Sequence, residues 1–164
     1  MSMKPTVIQL VLIVDYLLAI GVVVMLTLSQ QTSTLTNNLY GVLFLGFIPL
    51  LGGIHGLLIA RRWGSFKSAV GRAIVFFSLG LISWGLGTYI FSGVYNFLLQ
   101  VEVPYPSLAD LGYIISLPLW AYGMVQLSRA MGATYGLRTS KGKIFLLIIP
   151  LIIIALSYYL LVSV

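Results

Sequence analysis

Arg61 to Arg72, RRWGSFKSAVGR, decides the fold. Four bases and two aromatic side chains fall within it, and a long apolar run leads in from one side and out on the other. Lys and Arg collect in loops that stay on the cytoplasmic side of a bilayer, while Trp63 and Phe66 suit the boundary between headgroups and hydrocarbon. The stretch therefore reads as a cytoplasmic turn between two membrane-spanning helices. The other bases agree: Lys4 is alone near the start, and Arg129, Arg138, Lys141 and Lys143 share a second basic segment.

Composition supports this reading. Of 164 residues, 60% are hydrophobic and only 7% charged, far from the quarter-charged makeup of soluble domains. A helix needs about 20 apolar residues to cross the hydrocarbon, so about five crossings fit. The net charge of +6 would suggest nucleic acid in a soluble chain, but here every base flanks an apolar segment. Membrane lipids, including anionic headgroups, are the expected partner, and nucleic acid is not. With no cysteine, disulfides, thiolate metal sites and cysteine nucleophiles are all excluded.

Outward from the turn, helix 2 is expected over 39–60 and helix 3 over 73–99. Helix 1 (6–28), helix 4 (107–131) and helix 5 (144–164) complete a single domain, 1–164. The expected fold is an all-α integral membrane bundle of five transmembrane helices, N-terminus inside and C-terminus outside. The first apolar run is too long for a signal-peptide core and lacks a small-x-small cleavage pattern, so it reads as a retained helix. The polar, uncharged segment 29–38 is an external loop. Helix 3 is longer than the hydrocarbon is thick, which implies tilt or a protruding end.

The start of helix 4 is sharply marked. Pro104 and Pro106 hold the approach extended, Ser107 is a good N-cap, and Asp110 three residues later can complete a capping box. Pro118 lies inside the helix and removes one backbone bond, so a kink or hinge is expected there. Helices in lipid pack through small residues, and Gly52 with Gly56, and Ser83 with Gly87, give small-xxx-small steps expected to bring helices 2 and 3 together.

Asp15 and His55 are the two ionisable groups inside apolar spans, where each is costly unless paired or wet. Counted from the basic ends, both lie at a similar depth, so they are expected to meet, with Gln126 joining from a shallower level. The pair is either an interhelical hydrogen bond or a proton- or cation-responsive element. One histidine is too few for a bis-histidine haem in one chain, and with one aspartate too few for a closed zinc site; no metal or cofactor is expected.

A second cluster gathers at the opposite end: Trp84, Tyr89, Tyr95, Asn96, Glu102, Tyr105, Asp110 and Tyr113, with Trp120 deeper. One reading is an aromatic belt at the interface. The other is a shallow pocket between helices 3 and 4, floored by Trp84 and Trp120 and rimmed by Glu102 and Asp110, suited to an amphipathic or cationic ligand. No HExxH, GxSxG or phosphate-binding glycine loop is present, and no second histidine serves a nucleophile, so an enzyme is not expected.

The segment Val101 to Gly123, VEVPYPSLADLGYIISLPLWAYG, resembles multi-helix membrane sensor regions found ahead of bacterial GGDEF diguanylate cyclases and histidine kinases. The resemblance is carried by Pro104, Pro106, Ser107, Leu108, Ala109, Asp110, Tyr113 and Pro118, preceded by Trp84, Gly85 and Tyr89. It covers roughly residues 83–127, about a third of the chain. Such regions look longer, usually have more than five helices and feed a cytoplasmic signalling domain that is not seen here. The resemblance implies a sensory or ligand-binding module of a bacterial or archaeal inner membrane, with the external helix 3 to helix 4 junction as its reception site. Two other roles fit the residues: an accessory subunit docking on other membrane proteins or a second copy, and a small proton-coupled carrier using Asp15 and His55.

Overall fold

The computed structural model describes residues 6–29 and 33–132, and beyond them the single positions 148, 152, 156 and 159. Among the described residues, four helices are long and apolar enough to cross a membrane: α1 (Val7–Ser29), α2 (Thr34–Arg62), α3 (Ala69–Leu99) and α4 (Leu108–Ala130). The protein is an all-helical, multi-pass membrane protein over these residues. Of the expected fifth helix, Ile148, Ile152, Leu156 and Tyr159 are helical and exposed; the rest of it, and the basic segment 133–143, lie outside the described residues.

The chain divides into two units, 1–126 and 127–164. In the second, the last turn of α4 closes with Met131 N donating to Leu127 O at 3.0 Å, and Gly132 stops the helix at φ +67°. The first unit holds the bundle.

Two helix starts differ from expectation because serines cap them. Ser33 Oγ accepts from Thr36 N at 3.1 Å, so α2 begins at Thr34 rather than 39 and takes in polar residues assigned to the loop. Ser68 Oγ accepts from Gly71 N at 2.8 Å, and α3 begins at Ala69 rather than 73. Hydropathy marks where a helix enters lipid; a capping hydroxyl marks where it begins.

Both helices also carry widened π-helical segments, Gly41–Gly46 in α2 and Tyr89–Leu99 in α3. Pro118 is accommodated within α4, which runs through it as one helix.

α3 is the centre of the unit, with two faces of small side chains. On one face Gly71, Ser78, Gly85 and Ser92 recur every seven residues and all are buried; on α2 the matching row is Gly46, Gly53 and Ala60. A Cβ on Gly53 would stand 2.6 Å from Ser78 O, and one on Gly85 2.9 Å from Gly46 O, so the two backbones are almost in contact. Without a hydrophobic drive between helices in lipid, this closeness is what dispersion requires.

The other face of α3 meets α4. A Cβ on Gly112 would lie 2.7 Å from Gly87 Cα and from Ser83 O, and Ser83 Oγ donates across to Gly112 O at 2.7 Å. The expected glycine steps are thus redistributed. Ser83 and Gly87 pack α3 on α4 rather than on α2. Gly56 faces Ser78 of α3, while Gly52 has open space at its Cβ position and borders a groove shared with α1. Gly53, one residue on from Gly52, makes the close approach instead.

Candidate functional site

The start of α4 forms its capping box. Ser107 N donates to Asp110 Oδ2 at 2.6 Å, Ser107 Oγ donates to the same oxygen at 3.0 Å, and Asp110 N donates back to Ser107 Oγ at 3.4 Å. The carboxylate is therefore engaged in its own helix start, at the positive end of the helix dipole.

Trp84, Tyr113 and Trp120 meet along the α3–α4 seam, with Trp84 still 39% exposed. The Trp84 and Tyr113 rings are 4.7 Å apart, and the two indoles stack at 5.8 Å and 28°. Gly80 and Gly87 leave the room these rings occupy: a Cβ on Gly80 would collide with the Trp120 indole. The polar tips are held by backbone and hydroxyl, Trp120 Nε1 donating to Phe77 O at 3.3 Å and Tyr113 Oη to Thr88 Oγ1 at 3.4 Å. Tyr89 turns the other way, its ring edge 3.1 Å from where a Cβ of Gly46 would stand.

Asn96 and Glu102 meet neither Asp110 nor Tyr113 in this arrangement. They line a cavity of about 740 Å³ between the start of α2 and the end of α3, together with Thr34, Leu35, Asn38, Phe97, Gln100 and Val101. Gln100 makes this possible. It adopts the left-handed conformation, φ 51° and ψ 39°, closing α3 as its N–H and that of Val101 both reach Tyr95 O. That turn sends the chain back across the mouth and places Glu102 on its rim. The residues expected to form one α3–α4 pocket thus fall into three places: a helix cap, an aromatic seam and an α2–α3 mouth.

The mouth has a definite chemistry. Its polar members are neutral hydroxyl and amide groups plus one carboxylate, and Leu35, Phe97 and Val101 supply apolar wall. No Lys or Arg occurs between residues 5 and 60 or between 73 and 128, so none from these helices competes for Glu102. The arrangement can accept hydrogen bonds from, and neutralise, a small cation with an apolar portion.

Inside the span, Asp15 and His55 do not pair. Asp15 Oδ2 and both ring nitrogens of His55 are buried without a hydrogen-bonding partner. Leu12, Ile13, Tyr16 and Leu17 of α1 face Ile48, Pro49 and Gly52 of α2 across an apolar groove. In that antiparallel register Asp15 stands at about the level of Pro49, and His55 lies about 9 Å nearer the basic end at 1.5 Å per residue. Counting from the loop ends missed this offset.

Gln126 does not join them either. It is 2% exposed, and its Oε1 accepts from Arg72 Nε at 3.2 Å. Among the described residues, no group of three metal-ligating side chains comes together. No family model matches the chain, and no curated protein or solved structure matches it.

Two site features had signals in the sequence that reasoning passed over. The serines ahead of α2 and α3 stand where N-caps belong, and the seven-residue recurrence of small residues marks the α2–α3 seam.

Proposed function

We propose that this chain is a non-enzymatic sensory module of a bacterial or archaeal inner membrane, and that its reception site is the mouth between the start of α2 and the end of α3. The likeness around Pro106–Asp110 to membrane sensor regions supports the sensory role. The observation that carries the site is Glu102 on the rim of an otherwise uncharged cavity of about 740 Å³. That volume is in the range of small-molecule sites, roughly 300–1,000 Å³. The expected ligand is a small amphipathic cation: an ammonium group for Glu102 and the amides, an alkyl portion for Leu35 and Phe97. Binding there would draw α2 and α3 together at one end.

The chain has no native cysteine, so one reporter thiol is clean. With an environment-sensitive dye on Asn37→Cys, exposed beside the mouth and outside its lining, hexylammonium in nanodiscs should produce a saturable fluorescence change that Glu102→Gln removes. A response that is absent, or identical in the two proteins, sinks the proposal.

A second reading, a proton-coupled carrier, is favoured by one observation: the unpartnered Asp15 and His55 within the span. Proteoliposomes in which Asp15→Asn leaves proton-driven flux unaltered would remove it. Gentle solubilisation that recovers stoichiometric unlike subunits would favour the accessory role over both.

A further inference from the structure

The turn between α2 and α3 is built more rigidly than a connecting loop requires. Trp63 N donates to Ala60 O at 3.1 Å, Gly64 N to Arg61 O at 3.3 Å, and Lys67 N to Gly64 O at 2.8 Å. Gly64 takes φ +82°, which only glycine adopts without cost, and the chain tightens into a single 3₁₀ turn, Ser65–Lys67. Ser68 Oγ donates to Trp63 O, tying the far side of the turn to the near one. Arg72 Nη1 donates to Phe66 O at 3.1 Å while its Nε holds Gln126, so the turn is also fixed to α3 and α4.

This scaffold presents a defined surface. Trp63 is 57% exposed and Phe66 61%, and Arg61, Arg62 and Lys67 around them are exposed as well. An ordinary surface turn would not hold two large rings outward; at a membrane boundary they sit among the headgroups.

The cations have no counter-charge in their own neighbourhood. The chain's three acids are Asp15, Glu102 and Asp110. Asp15, level with Pro49, is about 18 Å along the bundle from Arg61 at 1.5 Å per residue. Glu102 lies beyond the far end of α3, about 40 Å from Arg72 on the same rise. Asp110 is about 24 Å along α4 from Gln126, the residue that Arg72 holds, and all three distances exceed the screening length of about 8 Å at physiological salt. The balancing anions must therefore come from outside this unit.

We infer that the Arg61–Lys67 turn is a docking site for an anionic lipid, with Arg61, Arg62 and Lys67 on the headgroup phosphate and Trp63 and Phe66 inserted beside the acyl chains. Guanidinium groups suit the phosphate, since their paired N–H donors match two of its oxygens. The fixed backbone lowers the ordering cost of binding and separates this site from a merely basic, mobile loop.

Native mass spectrometry of the full chain, titrated with short-chain phosphatidylglycerol, phosphatidylcholine or inorganic phosphate, tests it. Phosphatidylglycerol should be retained and phosphatidylcholine not. Each base near a charged surface contributes about fivefold, so Arg61→Gln, Arg62→Gln and Lys67→Gln together should weaken retention roughly a hundredfold. Removing three bases from the other segment, Arg138→Gln, Lys141→Gln and Lys143→Gln, should leave it within a few fold. Trp63→Ala with Phe66→Ala keeps the charge and should also weaken retention, which guards against misfolding of the charge variant. Equal loss in the two charge variants, equal binding of phosphatidylcholine, or equal occupancy by inorganic phosphate overturns the assignment.

Discussion

Arg72 and Gln126 are joined across the α3–α4 seam by a 3.2 Å hydrogen bond from Nε to Oε1. Gln126 is 2% exposed, so its amide has no water to fall back on. A base at the start of one helix is thus fastened to the last turns of the next, and the turn carrying Phe66 is fastened with it.

Gln126→Leu should lower stability by about 1–2 kcal/mol, the value of a hydrogen bond to a charged group with partial exposure of the arginine. Denaturant titration in mixed micelles measures this. Gln126→Glu, which keeps an acceptor, should recover most of the loss.

Neighbouring glycines on α2 should behave oppositely. Gly53→Ala places a methyl 2.6 Å from Ser78 O and from Ile82 Cγ1, whereas Gly52→Ala meets nothing within 4 Å. The first should destabilise by about 1–3 kcal/mol through overpacking. The second should be neutral or slightly stabilising through helix propensity. Thermal melts of the two proteins side by side would reveal a wrong register if the order were reversed.

Asp110→Ala removes the box at the start of α4 and should cost about 1 kcal/mol. Hydrogen exchange should accelerate at residues 108–111 and not elsewhere. The dye response to hexylammonium should persist, because Asp110 is absent from the mouth.

The indoles of Trp84 and Trp120 stack at 5.8 Å, close enough for their transitions to couple. Circular dichroism should show a paired signal that disappears in both Trp84→Phe and Trp120→Phe. Trp120→Phe also removes the bond to Phe77 O, and should be the less stable of the two by about 1 kcal/mol.

The membrane class and the four described spans were legible because lipid makes the apolar requirement one-dimensional: a run of sufficient length is a helix, whatever surrounds it. The Ser107–Asp110 box was legible for the same reason, being local. Register between helices was not. Asp15 and His55 looked level when counted from their loops, but side-chain packing of α1 on α2 offsets them by more than a turn. The candidate ligand residues separated because α3 is wide-turned beyond Thr88, and no composition signal announces a π segment. Hence Glu102 swings over α2, while Trp84 and Tyr113, both outside that segment, meet on the α3–α4 face.

The two widened segments lie against each other, a Cβ on Gly41 falling on Ser92 and one on Gly46 near Tyr89. A π turn holds an extra residue relative to an α turn. Winding the same residues 89–99 as ordinary α turns, with none removed, would rotate everything after them around the axis, because each α turn uses fewer residues than a π turn. Asn96 and Glu102 would then point away from α2. The aim of the rim carboxylate is therefore set by how widely these turns are wound, and a change that tightened them would redirect it without touching the residues that line the mouth.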